Sequence, residues 1–168
     1  MSKSALKKEL SGMDREQLAQ IILDAYEVNN DFKAYFEFFL NPDVESLLEK
    51  HERTIMKEIS RVKWGNSKAR TSVIKKEVKR FMGFNPGPEA ILNMLFLTLG
   101  RVAVGERFIN YKETQLNYIT FLTKQIMEFA ESNCLVSEAL KRLSSDILES
   151  PFITVHVKNY VRKGLSTK

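Results

Sequence analysis

The sequence predicts an all-α fold: an irregular stack of about eight or nine helices around a central apolar helix at about 88–104. Three observations carry this expectation. Apolar residues recur at three- and four-residue spacing along nearly all of the 168 residues, the spacing of one helical face rather than of a strand. Hydrophobic residues at 43%, with four prolines and seven glycines, suffice for a core, since a chain near 150 residues hides about 70% of its unfolded surface. Ile91, Leu92, Met94, Leu95, Phe96, Leu97, Leu99 and Val102 leave one helix apolar on most sides, and such a helix must be packed from several directions.

The same composition excludes wholesale disorder. Cys134 alone cannot close an intrachain disulfide, and His51 and His156 leave few soft ligands for a metal, so neither a disulfide scaffold nor a zinc module is expected. No cofactor is expected either. The most apolar stretch, 90–104, is broken by Asn93, Thr98, Gly100 and Arg101 and is shorter than the roughly 20 residues of a bilayer span. Leu6 and Leu10 are isolated among charges, so 1–12 lacks the apolar run of an export signal, and the cytoplasm is the expected compartment.

Taken in order, a first helix around 3–10 stacks Leu6 on Leu10 and stops at Gly12, which tolerates the left-handed conformation of a helix end. Asp14 opens a second, with Gln17 completing a capping box and Leu18, Ile21, Ile22 and Ala25 as its buried stripe. Asn29, Asn30 and Asp31 interrupt it, because short polar side chains compete for backbone hydrogen bonds. The third helix puts Phe32, Phe36, Phe39 and Leu40 on one face and ends at Asn41-Pro42. Tyr35 and Phe38 crowd the same helix, and Phe38 cannot share the face of Phe32, Phe36 and Phe39, so core packing is favoured and an exposed aromatic edge for a partner is the alternative. Asp43 caps a fourth helix, with Val44, Leu47, Leu48, Ile55, Ile59 and Val62 along one side to about Val62. Residues 64–67 form a loop by composition.

The fifth helix, Lys68 to Met82, turns Ala69, Val73, Val78 and Phe81 inward and ends at Gly83. Asn85-Pro86-Gly87-Pro88 is the strongest break, and Pro88 suits the first position of helix six, where its missing amide hydrogen costs nothing. Helix seven, about Glu113 to Glu131, carries Leu116, Ile119, Leu122, Ile126 and Phe129. Helix eight, about Val136 to Leu148, carries Leu140, Leu143 and Ile147. In 151–163, Ile153, Val155 and Val157 alternate like a strand, yet Ser150-Pro151 reads as a helix start and Gly164 as a stop. Helix is the better reading, because a lone strand would leave its backbone groups unpaired. One helical domain over 1–168 is expected, with a disordered tail at about 164–168.

Ser4-Ala5-Leu6-Lys7-Lys8-Glu9-Leu10, the run Phe36-Glu37-Phe38-Phe39-Leu40-Asn41-Pro42 with Leu47-Leu48-Glu49-Lys50, the block Lys68-Ala69-Arg70-Thr71-Ser72 with Lys75-Lys76, and Pro88 leading into Ile91-Leu92-Asn93-Met94-Leu95-Phe96 point one way. Over about residues 3–105 the chain resembles an uncharacterised family of small bacterial all-helical proteins, a domain of unknown function. The resemblance implies a cytoplasmic helical protein and supplies no catalytic residues. Beyond Arg107 the acidic, aromatic-rich stretch of that family is missing.

Charge is the most informative functional feature. Nine basic residues from Lys57 to Arg80 face only Glu58 and Glu77, a local net of +7, whereas the rest of the chain nets −2. Phosphate backbones attract such a surface, and Trp64 beside it could stack on a base. The candidate polyanion-binding residues are Lys63, Trp64, Lys68, Arg70, Lys75, Lys76, Lys79 and Arg80; the plainer reading is the solvated face of an amphipathic helix. His51 reads as a hydrogen-bonded core residue, since Glu49-Lys50-His51 puts no carboxylate one turn away. Cys134, at an expected helix start, is a weak candidate for a reactive thiol, and no glycine loop with a lysine-serine pair suggests a nucleotide site. With no catalytic constellation, the leading expectation is a non-enzymatic helical protein-interaction domain with an unidentified protein partner or a second copy of itself. Nucleic-acid or other polyanion binding through 68–82 is the alternative.

Overall fold

Helical periodicity gives helices over most of the chain. The structure, a computed structural model, describes residues 1–64, 66–104 and 112–166 and divides into two compact units, Met1–Asp43 and Val44–Lys168.

In the first unit, α1 (Lys3–Ser11), α2 (Arg15–Val28) and α3 (Asn30–Leu40) start where their caps dictate. The Asp14 carboxylate accepts from the Gln17 amide at 2.8 Å while Gln17 Oε1 accepts from the Asp14 amide at 3.1 Å, the reciprocal box read from the sequence. Asn29 alone separates α2 from α3, its side chain accepting from the Asp31 and Phe32 amides. Phe32 stacks on Phe36 at 5.7 Å, and Tyr26 donates to Glu37 across the two helices at 2.9 Å. The expected buried stripes are corrected here: no residue of these three helices is buried. Ile21, Ile22, Phe39 and Leu40 stay 38–64% exposed. Three short helices have too little interior to enclose them all.

In the second unit, α6 (Pro88–Val104) is the centre. Nine of its seventeen residues are buried, including Ile91, Leu92, Met94, Leu95, Phe96 and Leu99, and it packs against α4 (Val44–Ile59), α5 (Thr71–Gly83), α7 (Glu113–Ser132) and a π-helical turn, Leu143–Leu148. Its one buried hydroxyl, Thr98, donates to the Met94 carbonyl at 2.7 Å and so costs little in an apolar surrounding. On α7, Leu116, Ile119, Leu122 and Ile126 are buried as expected and Phe129 is half-buried.

Four boundaries differ from the expected ones. The fourth helix stops at Ile59 rather than Val62, and Val62–Lys63 pairs with Asn66–Ser67 in a two-residue antiparallel bridge (β1, β2) where a loop was expected; Gly65 lies outside the described residues. The fifth starts at Thr71, because the Lys68 amide is held by the Arg61 carbonyl and the Arg70 amide by Glu58. After α8 (Val136–Arg142) the backbone widens into the π turn, so the buried stripe runs Ala139, Leu143, Ile147 at four-residue steps and leaves Leu140 47% exposed. The last segment is a helix as expected, but α9 (Val155–Ser166) starts at Val155 rather than directly after Ser150-Pro151: Ile153 is buried in the preceding turn, Val155 is exposed, and Val157 and Val161 face inward.

Gly164, expected as a stop at the start of a loose tail, lies within α9 and is buried. A Cβ there would sit 2.7 Å from Thr123 Cβ and 2.9 Å from the Thr120 carbonyl oxygen, so it is the residue that lets α9 approach α7. Thr120 Oγ1 donates to the Tyr160 carbonyl at 3.0 Å in the same contact. Thr167 and Lys168 lie outside the described residues.

Candidate functional site

The basic segment is organised by one acidic side chain. Glu58, 6% exposed in the last turn of α4, accepts from the Arg70 amide at 2.8 Å, from Arg70 Nε at 2.9 Å and Nη2 at 2.8 Å, and from Arg61 Nη1 at 3.3 Å. The Arg70 guanidinium leads in holding its carboxyl at about 2, with Arg61 adding to the effect. Arg70 is the N-cap of α5 and makes no side-chain cap bond; Glu58 accepts from its backbone N–H instead, which sets a carboxylate at the positive end of the helix. Arg70 and Arg61 therefore spend their charge on Glu58.

The eight sequence-predicted residues thus fall into separate places. Lys63, Trp64 and Lys68 belong to the bridge segment, where Trp64 is 88% exposed at φ 55°. Arg70 is clamped to Glu58. Lys76 and Arg80 follow one another at one turn on α5 and are exposed. Lys75 and Lys79, also one turn apart, border a groove of about 530 Å³ between α5 and α7, walled by Val78, Met82 and Gly83 on one helix and Tyr118, Phe121 and Gln125 on the other. Lys75 Nζ lies 4.3 Å from the Phe121 ring centroid and 5.3 Å from that of Tyr118. Among the described residues, Lys75, Lys76 and Lys79 have no carboxylate partner.

The Tyr118 side chain was not singled out by sequence reasoning. It is 2% exposed, its hydroxyl has no hydrogen-bond partner among the described residues, and burial pushes the phenol pKa up. The signal was present as Tyr118, Phe121 and Gln125 at i, i+3 and i+7, a second stripe beside the core stripe of the same helix.

His51 is buried, as expected, between the ring edges of Phe81 and Phe84 at 5.5 and 5.7 Å. Its partner comes from α5: Nδ1 lies 2.8 Å from Glu77 Oε1, without the alignment of a regular hydrogen bond. Burial pushes the imidazole pKa down; Glu77 opposes this, and Arg80 and Lys50 add to it. Cys134 is exposed and sits after α7 at φ 60°, where the Leu135 amide reaches back to the Ala130 carbonyl at 2.9 Å. It occupies the left-handed position of a helix C-terminus rather than the start of α8. A second groove, about 340 Å³, lies along Phe96, Leu97 and Gly100 beside Arg142, which donates to Asn93 Oδ1 at 2.7 Å and covers the Phe96 ring at 4.2 Å.

Among the described residues, no group of three His, Cys, Asp or Glu could hold a metal ion, and no helix is long and apolar enough to cross a membrane. Comparison with the curated proteins and with the solved structures gave no match. Residues 1–160 match the family model described as "Family of unknown function (DUF6155)", so the resemblance seen over 3–105 extends through α7 and α8 into α9, and the chain belongs to that family.

Proposed function

We propose that the chain is a non-enzymatic helical interaction domain that pairs with a second copy of itself through α2 and α3. The supporting observation is the exposure of these two helices: Ile21, Ile22, Leu23, Val28, Tyr35, Phe39 and Leu40 are 38–86% exposed. So many large apolar side chains in 25 residues of helix mark a surface to be covered. Two such helix pairs, face to face, make a four-helix arrangement, a frequent way of burying short helices. Covering Ile21, Ile22, Phe39 and Leu40 on both copies gains on the order of 1 kcal/mol for each side chain. Set against the freedom lost on association, about 4–15 kcal/mol, this supports a weak, concentration-dependent pair. The cytoplasm is its proposed compartment, and no residue is given a catalytic, cofactor or metal role. Sedimentation velocity over a concentration series tests the reading: the wild type shifts toward dimer, whereas Phe39→Asp with Leu40→Asp stays monomeric. A wild type that remains monomeric throughout overturns it.

One observation favours a second reading, polyanion binding at the bridge segment. Trp64 is 88% exposed, with exposed Lys63 and Lys68 next to it in the chain. Binding to generic RNA or DNA would then weaken steeply with salt and fall in Trp64→Ala and in Lys68→Glu. A flat salt dependence, or binding untouched by both substitutions, removes this reading.

A further inference from the structure

We propose that α9 and the turn before it form a docking surface for an anionic lipid bilayer, with Phe152 and Val155 entering the headgroup region and Lys158, Arg162 and Lys163 meeting the acidic headgroups. The surface lies in the second unit and does not rest on the reading proposed for α2 and α3. One observation is of charge. Ser150 to Lys168 carries four basic residues, Lys158, Arg162, Lys163 and Lys168, and no acidic one. Because α9 buries Val157, Val161 and Gly164, its opposite side, with Val155, Asn159 and Arg162 at i, i+4 and i+7, is turned to solvent. Lys158 flanks that side on one edge, and His156 and Lys163 on the other. Among the described residues, Lys158 and Arg162 have no carboxylate partner, and Arg162 donates to the neutral Asn159 Oδ1 at 3.1 Å. Glu149, the nearest acidic residue along the chain, accepts from Ser144 Oγ at 2.6 Å.

The other observation is apolar. Phe152 is 74% and Val155 71% exposed, and among the described residues of this unit Trp64 alone is a more exposed large hydrophobic. The turn that presents them is fixed rather than loose. Ile153, between them, is buried, Thr154 Oγ1 accepts from the Val157 amide at 3.3 Å, and α9 is packed along α7. With Ile153 holding the inward position, Phe152 and Val155 are kept outward, beside the cationic side of the helix.

The two together select the partner. Cations alone suit any polyanion, and Phe152 could stack on a base, but Val155 has no ring to stack and gains nothing from a nucleic acid. A bilayer interface covers both apolar side chains while its acidic headgroups answer the cations. Two apolar side chains are a small anchor on their own, so attraction to anionic lipid is the second signal that binding requires.

Co-sedimentation of the full chain with lipid vesicles tests the surface. The wild type partitions onto phosphatidylcholine vesicles containing about one-third phosphatidylserine, about tenfold less onto phosphatidylcholine alone, and is released by raised salt. Lys158→Gln and Arg162→Gln each weaken the partition about fivefold, the effect of one basic residue at an anionic surface. Phe152→Ser weakens it about tenfold and Val155→Ser about threefold, whereas Val155→Leu strengthens it. None of these four side chains is buried, so the helical circular dichroism stays that of the wild type. In a Trp64→Phe chain, which lacks the single tryptophan, Phe152→Trp gives an emission that brominated phosphatidylserine quenches. Partition that is equal on neutral and anionic vesicles, or absent from both, overturns the proposal. So does full partition in both Phe152→Ser and Val155→Ser, or a Phe152→Trp emission that the brominated lipid leaves unquenched. Binding of generic RNA through Lys158 and Arg162 in place of vesicles overturns it in favour of a nucleic-acid surface.

Discussion

Replacing Gly164 by alanine sets two well-calibrated effects against each other. By helix propensity alone, alanine in α9 should stabilise the protein by about 1 kcal/mol. The packing says otherwise. The new Cβ would lie 2.7 Å from Thr123 Cβ, 2.9 Å from the Thr120 carbonyl oxygen and 3.0 Å from Thr123 Cγ2, and two of these atoms belong to groups that cannot rotate away. Either α9 moves off α7 by several tenths of an ångström, or Val157 and Val161, both buried beside it, lose contact. Overpacking of this kind costs about 1–3 kcal/mol, and with no cheap rotamer escape the upper part applies, leaving a net loss of about 1–2 kcal/mol after the propensity gain. At roughly 2–4 °C per kcal/mol for a chain of this size, the thermal midpoint falls by about 2–8 °C. Thermal unfolding followed by circular dichroism, with urea unfolding for the free energy, measures both. A midpoint equal to or above that of the wild type would refute the close α7–α9 approach.

Glu58→Gln should cost about 1–2 kcal/mol by urea unfolding at neutral pH: the shift from 4.5 to about 2 sets a ceiling near 3 kcal/mol, and half-exposed Arg61 and Arg70 reduce it through solvent screening. Because the folded carboxyl is held below its unfolded value, that contribution is complete above about pH 4.5 and drains away as pH falls toward 2, so wild type and variant converge in acid. His51 has the opposite charge chemistry. Its folded pKa lies below 6.5, so the unfolded chain takes up the proton first and stability declines as pH drops below 6.5; His51→Gln should lose that part of the pH dependence in parallel urea titrations. Cys134→Gly should raise stability by about 0.5–1 kcal/mol in the same assay, since the left-handed backbone at φ 60° strains any side chain but suits glycine.

The sequence made the centre of the fold readable because burial from several sides leaves a pattern that no surface helix shares. Ile91 to Val102 and the break at 85–88 locate α6 to the residue, and the single stripe of α7 is correct at four of five positions. Periodicity reports a face and not what covers it, which is why Ile21, Ile22, Phe39 and Leu40 were expected inside and are exposed. Gly164 looked like a terminator because a glycine that ends a helix and one that admits a neighbouring helix are the same letter. In the basic segment, the net charge was legible but its division was not. Glu58 lies twelve residues from Arg70, and the pairing exists only once α4 has turned back toward α5. His51 and Glu77, and Lys75 and Tyr118, are likewise brought together by helix packing rather than by spacing along the chain.

The most direct test of the interaction reading is the oligomeric state of the intact chain as a function of concentration. Sedimentation velocity should show a reversible monomer–dimer equilibrium that Phe39→Asp with Leu40→Asp shifts wholly to monomer, with the helical content of α4 to α9 unchanged. A wild type that sediments as a monomer at every concentration, or a double variant that dimerises as well as the wild type, would contradict it.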